Sequence, residues 1–175
     1  FFLYLAYNAP HYPLQAPKEE VMKYRGKYAG GWDRLREKRY ARQLGLGLIE
    51  RDWPLSPRPQ NVRPWNDLTD KEKDWEDFRM ATYAGMIDRM DQGIGKLVER
   101  LKEAGAFENT LFMFCSDNGG NAEAGITGKY IGNDPGGPHS NVFIGKCWAE
   151  LNNTPFRKYK HYNHEGGIAT PLIAH

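Results

Sequence analysis

Three apolar runs, each broken by turn-forming residues and separated by stretches of helical period, restrict what this chain can fold into more than any other feature. Phe1 to Tyr7 ("FFLYLAY") is continuously apolar and aromatic and ends at Asn8 and Pro10, the pattern of a strand buried on both faces, as in a parallel sheet. Asn109 to Asp117 ("NTLFMFCSD") repeats that pattern. In "HEGGIATPLIAH" Gly166 and Gly167 turn the backbone into a third candidate strand. Alternating strand and helix predicts an α/β layer structure with a largely parallel sheet flanked by helices.

The first run is shorter than the roughly 20 residues that a membrane helix needs, and it lacks the basic flank and cleavage site of a signal peptide. A net charge of +2 with both signs mixed argues against a general nucleic-acid binder. Cys115 and Cys147 form neither a disulfide framework nor a metal spacing, which leaves the compartment open. Phe1 lies inside an apolar run and "ATPLIAH" still reads as a strand where the sequence stops, so both ends are expected to be cut.

Between the runs, Glu19 to Arg42 reads as helical and basic. A solvated face is the ordinary reading, and a positive field that draws in anionic substrates is the functional one. "WPLSPRPQNVRPW" reads as a connector laid over the surface. Thr69 with Glu72 opens a long helix by a capping box, and Gly105 stops it. Along it Trp75, Phe78, Ile87, Met90, Ile94, Leu97 and Leu101 are expected to face a core, with Gly85, Gly93 and Gly95 allowing a break.

Ligands of open α/β sheets bind in loops beyond the carboxyl ends of the strands. One such loop carries His11 on a backbone stiffened by Pro10, Pro13 and Pro17, and an imidazole there could serve as general acid near neutral pH. A second carries Asp117 and Asn118, two hard oxygen donors suited to Ca²⁺ or Mg²⁺; equally, "SDNGG" can be a turn in which Gly119 and Gly120 take positive φ. The third, before its strand, carries Lys160, His161, His164 and Glu165. Lys160 could neutralise an anionic oxygen, whereas His161 and His164 lack an obvious third zinc ligand.

Taken in order, "APHYPLQAP", "NTLFMFCSDNGG" and "NTPFRKYKHYNHEGGIATPLIAH" resemble the formylglycine-dependent sulfatases, and among them the arylsulfatase branch. "YRGKYAGGWDRLREKRYARQLGLGL" and "YAGMIDRMDQGIGKLVERLKEAG" are similar to that branch as well. The resemblance implies an alkaline-phosphatase-like α/β fold, one divalent cation that is usually calcium, and hydrolysis of sulfate esters of small molecules or glycans. It implies that Asp117 and Asn118 are metal ligands, that His11 lies near the leaving-group oxygen, and that Lys160 contacts the sulfate. It also implies a formylglycine-generating or equivalent maturation enzyme as partner, and a periplasmic, secreted or lysosomal location.

The family's nucleophile arises from C/S-x-P-x-R, and neither Cys115, Cys147 nor Ser56 stands in that pattern. The nucleophile, the paired aspartates that complete the metal site and the flanking Lys and His all precede Phe1 in the family order. Residues 1–175 are therefore expected to be the central part of one catalytic domain, truncated at both ends, and inactive alone. A phosphodiesterase or phosphotransferase of the same superfamily is the enzymatic alternative, though Asp-Asn-Gly stands where those carry Asp-His-Gly. A non-catalytic anion-binding relative is the other.

Overall fold

The computed structural model describes residues 1–124 and 130–175. Among them, five α-helices run α1 Lys18–Met22, α2 Gly31–Gly45, α3 Asp70–Glu103, α4 Gly145–Asn152 and α5 Glu165–Ile168. Four short strands, β1 Met113–Cys115, β2 Tyr130–Ile131, β3 Asn141–Val142 and β4 Leu172–Ala174, form two separate pairs. No helix among the described residues is long and apolar enough to cross a membrane.

The core is built around three indoles. Trp32 of α2, Trp65 and Trp148 of α4 meet edge-on at centroid distances of 4.8, 5.2 and 5.9 Å, a geometry that lets ring edges face the negative π clouds. Leu14, Val62, Leu68, Met80, Val142, Ile144 and Leu151 close around them. Gly31 opens α2 at φ +76, and a Cβ there would lie 2.1 Å from the Trp65 ring, so no larger residue fits without displacing the indole. Two of the buried ring N–H groups find acceptors: Trp32 Nε1 donates to Arg63 O at 2.9 Å and Trp148 Nε1 to Glu76 at 2.7 Å.

At the start of α3, Thr69 and Glu72 form the expected capping box. The Thr69 backbone N–H, with Arg63 and the Thr69 hydroxyl, holds the Glu72 carboxyl down at about 2. At the other end Gly105 takes φ +64, with Gly105 N bonded to Lys102 O and Ala106 N to Leu101 O, both at the spacing of a Schellman stop. The glycines between them do not break the helix. Gly85 instead lets α1 lie against α3: a Cβ would come 3.1 Å from Val21 N.

Four expectations are corrected. The apolar stripe of α3 meets the core only near its start, where half-buried Trp75 packs against it: Ile87 is exposed, Met90, Ile94, Leu97 and Leu101 are half-buried, and burial centres on Glu76, Asp77, Arg79, Met80, Ala81, Thr82 and Ala84. Paired charges can be buried there because each meets a partner, as Glu76 and Arg79 do at 2.9 Å. The stretch Glu19 to Arg42 is two helices, separated by turns that include Gly26 at φ +83. Two of its cations are not a free surface field, since Arg25 pairs with Asp77 and Asp74, and buried Arg36 binds Ser56 Oγ at 2.6 Å and Pro155 O at 3.2 Å. The proline-rich connector is not wholly superficial, because Val62 and Trp65 enter the core.

The strand readings change most. Phe1 to Tyr7 takes no regular structure, and Phe1 and Phe2 are 88% and 92% exposed. β1 pairs antiparallel with β4, Phe114 opposite Ile173, and both strands are exposed. A largely parallel sheet is not among the pairings of the described residues, because β1 and β4 bond only each other and Phe1 to Tyr7 bonds neither. Residues 125–129, within the loop that follows Asp117, lie outside the described residues.

Candidate active site

His11 is placed by a loop pinned from both sides. His11 N donates to Asn8 O at 2.9 Å, and buried Leu14 anchors the loop to β3 through Leu14 N to Val142 O at 2.8 Å. The Tyr12 ring lies between those of His11 and Phe143, at 4.4 and 4.6 Å. His11 Nδ1 faces Tyr12 O at 3.0 Å, which fixes the proton on Nδ1 in the neutral ring and leaves Nε2 as the free basic nitrogen. Lys160 Nζ lies 3.1 Å from that Nε2 and can donate to it.

Lys160 sits in a loop held over glycines. Gly166 and Gly167 run so close beneath it that a Cβ on Gly166 would fall 2.2 Å from Lys158 O, and one on Gly167 2.1 Å from Tyr162 O. Lys158 and His161, which flank the Tyr159–Lys160 pair in the chain, adopt φ of +70 and +80. Non-glycine residues hold such backbone only where their surroundings fix it. Tyr159 supplies part of that surrounding, since its buried ring meets the Tyr162 ring edge-on at 5.2 Å.

The Asp117–Asn118 loop meets the same platform. Gly119 N donates to Gly167 O at 3.0 Å, and Lys160 N donates to Gly120 O at 3.1 Å. Neither Gly119 nor Gly120 adopts positive φ; Gly119 is needed for close approach instead, since a Cβ on it would lie 1.8 Å from Gly166 O. Asp117 is exposed and makes no hydrogen bond among the described residues. Asn118 turns its amide nitrogen to Gly119 O at 2.9 Å, leaving Oδ1 without a donor there. A carboxylate and an uncommitted amide oxygen fit a hard cation such as calcium, and they do not suit a soft one.

His11, the Asp117–Asn118 loop and Lys160 are thus brought together. His161 and His164 are not: His161 Nε2 faces Glu123 at 3.1 Å, and His164 Nε2 accepts from Arg157 at 3.1 Å. No group of three or more His, Cys, Asp or Glu able to hold a metal occurs among the described residues. Sequence reasoning misses the roles of Gly119, Gly166 and Gly167 as mutual packing surfaces, and of Glu123 as a partner of His161. The repeated Gly-Gly pairs are the one signal that could suggest the packing.

The chain belongs to the sulfatase family, whose model matches residues 1–175. It is 38% identical to an uncharacterized sulfatase of Schizosaccharomyces pombe, over 99% of this chain and 34% of that protein. Against an arylsulfatase of Klebsiella aerogenes identity is 37%, over 98% of this chain and 39% of the relative. N-sulphoglucosamine sulphohydrolase of Homo sapiens is 29% identical over 74% of this chain and 23% of its own length. The chain therefore spans little more than a third of the first two relatives. The family implies an alkaline-phosphatase-like α/β fold, of which the described residues form a helical part with two small sheets.

Proposed function

We propose that the whole protein hydrolyses sulfate esters, of the aryl or glycan type, and that residues 1–175 form the central part of its single catalytic domain. The observation that carries this reading is the 3.1 Å approach of Lys160 Nζ to His11 Nε2, which joins two motif residues 149 positions apart. Lys160 would bind a sulfate oxygen and balance its charge as the ester bond lengthens. His11, once protonated at Nε2, would give that proton to the leaving oxygen. Asp117 and Asn118 would hold a divalent cation, calcium, which supplies positive charge beside the sulfate oxygens. A formylglycine made by a maturation enzyme, from chain outside residues 1–175, would supply the nucleophile. Residues 1–175 alone would then have no turnover.

The test is expression of the full-length protein with its formylglycine-generating partner, followed by assay of sulfate release from an aryl sulfate. Calcium-dependent release that Asp117→Ala abolishes and Lys160→Ala lowers about 10²-fold is the expected result. Release that survives Asp117→Ala would remove the metal role, and absence of release from the matured protein would overturn the reading.

A further inference from the structure

We propose that Asn153 is a positioning residue that sets Lys160 against the Asp117–Asn118 loop; this rests on the sulfatase reading above. Asn153 caps the C-terminus of α4, the helix that carries Trp148 into the core, so its own backbone is fixed. Asn153 N donates to Ala149 O at 3.3 Å and its carbonyl accepts from Phe156 N at 2.8 Å.

From that anchor the side-chain amide reaches both loops. Asn153 Oδ1 accepts from Gly120 N at 2.8 Å, and Nδ2 donates to Lys158 O at 2.9 Å. The Gly120 peptide is bonded on its other side as well, because its carbonyl accepts from Lys160 N at 3.1 Å. These three hydrogen bonds, with the chain from Lys158 to Lys160, close a ring through Asn153 and Gly120. One turn earlier on α4, Glu150 accepts from Lys158 N at 3.3 Å, which helps to hold that residue at its left-handed φ of +70.

Only a side chain with one acceptor and one donor on a single planar group makes both bonds. Aspartate keeps the bond to Gly120 N but sets an oxygen against Lys158 O. Leucine, close in size, makes neither bond. Asn153 touches none of the proposed reacting atoms, so its effect on turnover must pass through the placement of Lys160 and of Asp117–Asn118.

The test uses the matured full-length protein, an aryl sulfate as substrate, and the variants Asn153→Leu, Asn153→Asp and Lys160→Ala. Asn153→Leu is expected to lower kcat about tenfold or more, Asn153→Asp less, with KM changed far less than kcat. In the double variant Asn153→Leu/Lys160→Ala the loss should fall well short of the product of the two single losses, which a merely structural role would not produce. Multiplying losses would overturn the proposal. Hydrogen exchange at the Gly120 and Lys160 amides reads the ring without activity: faster exchange at both amides is expected in the leucine variant, and in the aspartate variant faster exchange at Lys160 with Gly120 still protected; unchanged exchange in the leucine variant overturns the ring even if the enzyme is a sulfatase. Faster exchange with Lys160→Ala fully active would overturn the role of Lys160, and the positioning role with it.

Discussion

Lys160 Nζ and His11 Nε2 lie 3.1 Å apart although 149 residues separate them in the chain. The contact needs a neutral imidazole as acceptor, and the Nδ1 contact to Tyr12 O supplies the matching tautomer. In the full-length protein His11→Ala should lower kcat about 10²-fold or more, the range of a general acid. Lys160→Ala should act similarly. Because the two groups touch, the double variant should lose less than the product of the single losses. Steady-state kinetics on an aryl sulfate checks all three.

Cation dependence is the second expectation. Chelation should abolish turnover of the full-length protein and calcium should restore it. Asp117→Ala removes the charged donor and should abolish calcium-dependent release, while Asn118→Ala, which removes a neutral one, should raise the calcium needed for half-maximal activity about tenfold or more. Calcium titration of the chelated protein measures the difference.

How much is legible in the sequence follows from the range of the interactions. The Thr69–Glu72 cap and the Gly105 stop are local and readable, since their partners stand close by in the chain. His11, Asp117, Asn118 and Lys160 stand out as candidates because each lies in a motif whose order resembles that of the family. The ring at Asn153 is not readable: "NNTPF" looks like an ordinary turn, and its bond to Gly120 spans 33 residues. The core face of α3 defies its hydrophobic period because that period assumes that charges stay outside. Glu76 and Arg79 enter because they pair with each other and Trp148 donates to Glu76.

Close backbone packing predicts opposite signs for one kind of substitution at two glycines. Gly119→Ala would place a methyl 1.8 Å from Gly166 O, where backbone must move, and should cost about 3 kcal/mol or more. Gly95→Ala, in α3 with open space around its Cα, should stabilise by about 0.5–1 kcal/mol because alanine loses less backbone entropy. Thermal or urea unfolding of the two variants distinguishes them.

Burial lifts the Glu76 carboxyl from its ordinary 4.5 to about 7, against the pull of Arg79 and the Trp148 N–H. Between those values the folded state binds a proton that the unfolded state releases. Stability from this group is full below about 4.5 and is lost as pH rises through about 7. Glu76→Gln cannot titrate, so the stability of the wild type relative to the variant should fall as pH rises across that window. Melts of both proteins at several pH values between these limits measure the slope.

The exposed apolar edge makes the last prediction. Phe1, Phe2, Tyr4, Met113, Leu172 and Ile173 are large and apolar, all are exposed, and β1 and β4 have no other strand beside them among the described residues. Such surface, with unpaired strand edges, drives self-association unless further chain covers it. Residues 1–175 expressed alone should therefore aggregate, and replacing Phe2 and Ile173 by threonine should make that chain more soluble. In the full-length protein, if its remaining chain covers this face, the same replacements remove buried apolar area and should lower the melting temperature. Light scattering on residues 1–175 and calorimetry on the full-length protein give the two signs; a sharp, reversible melt of monomeric wild-type 1–175 would contradict the first.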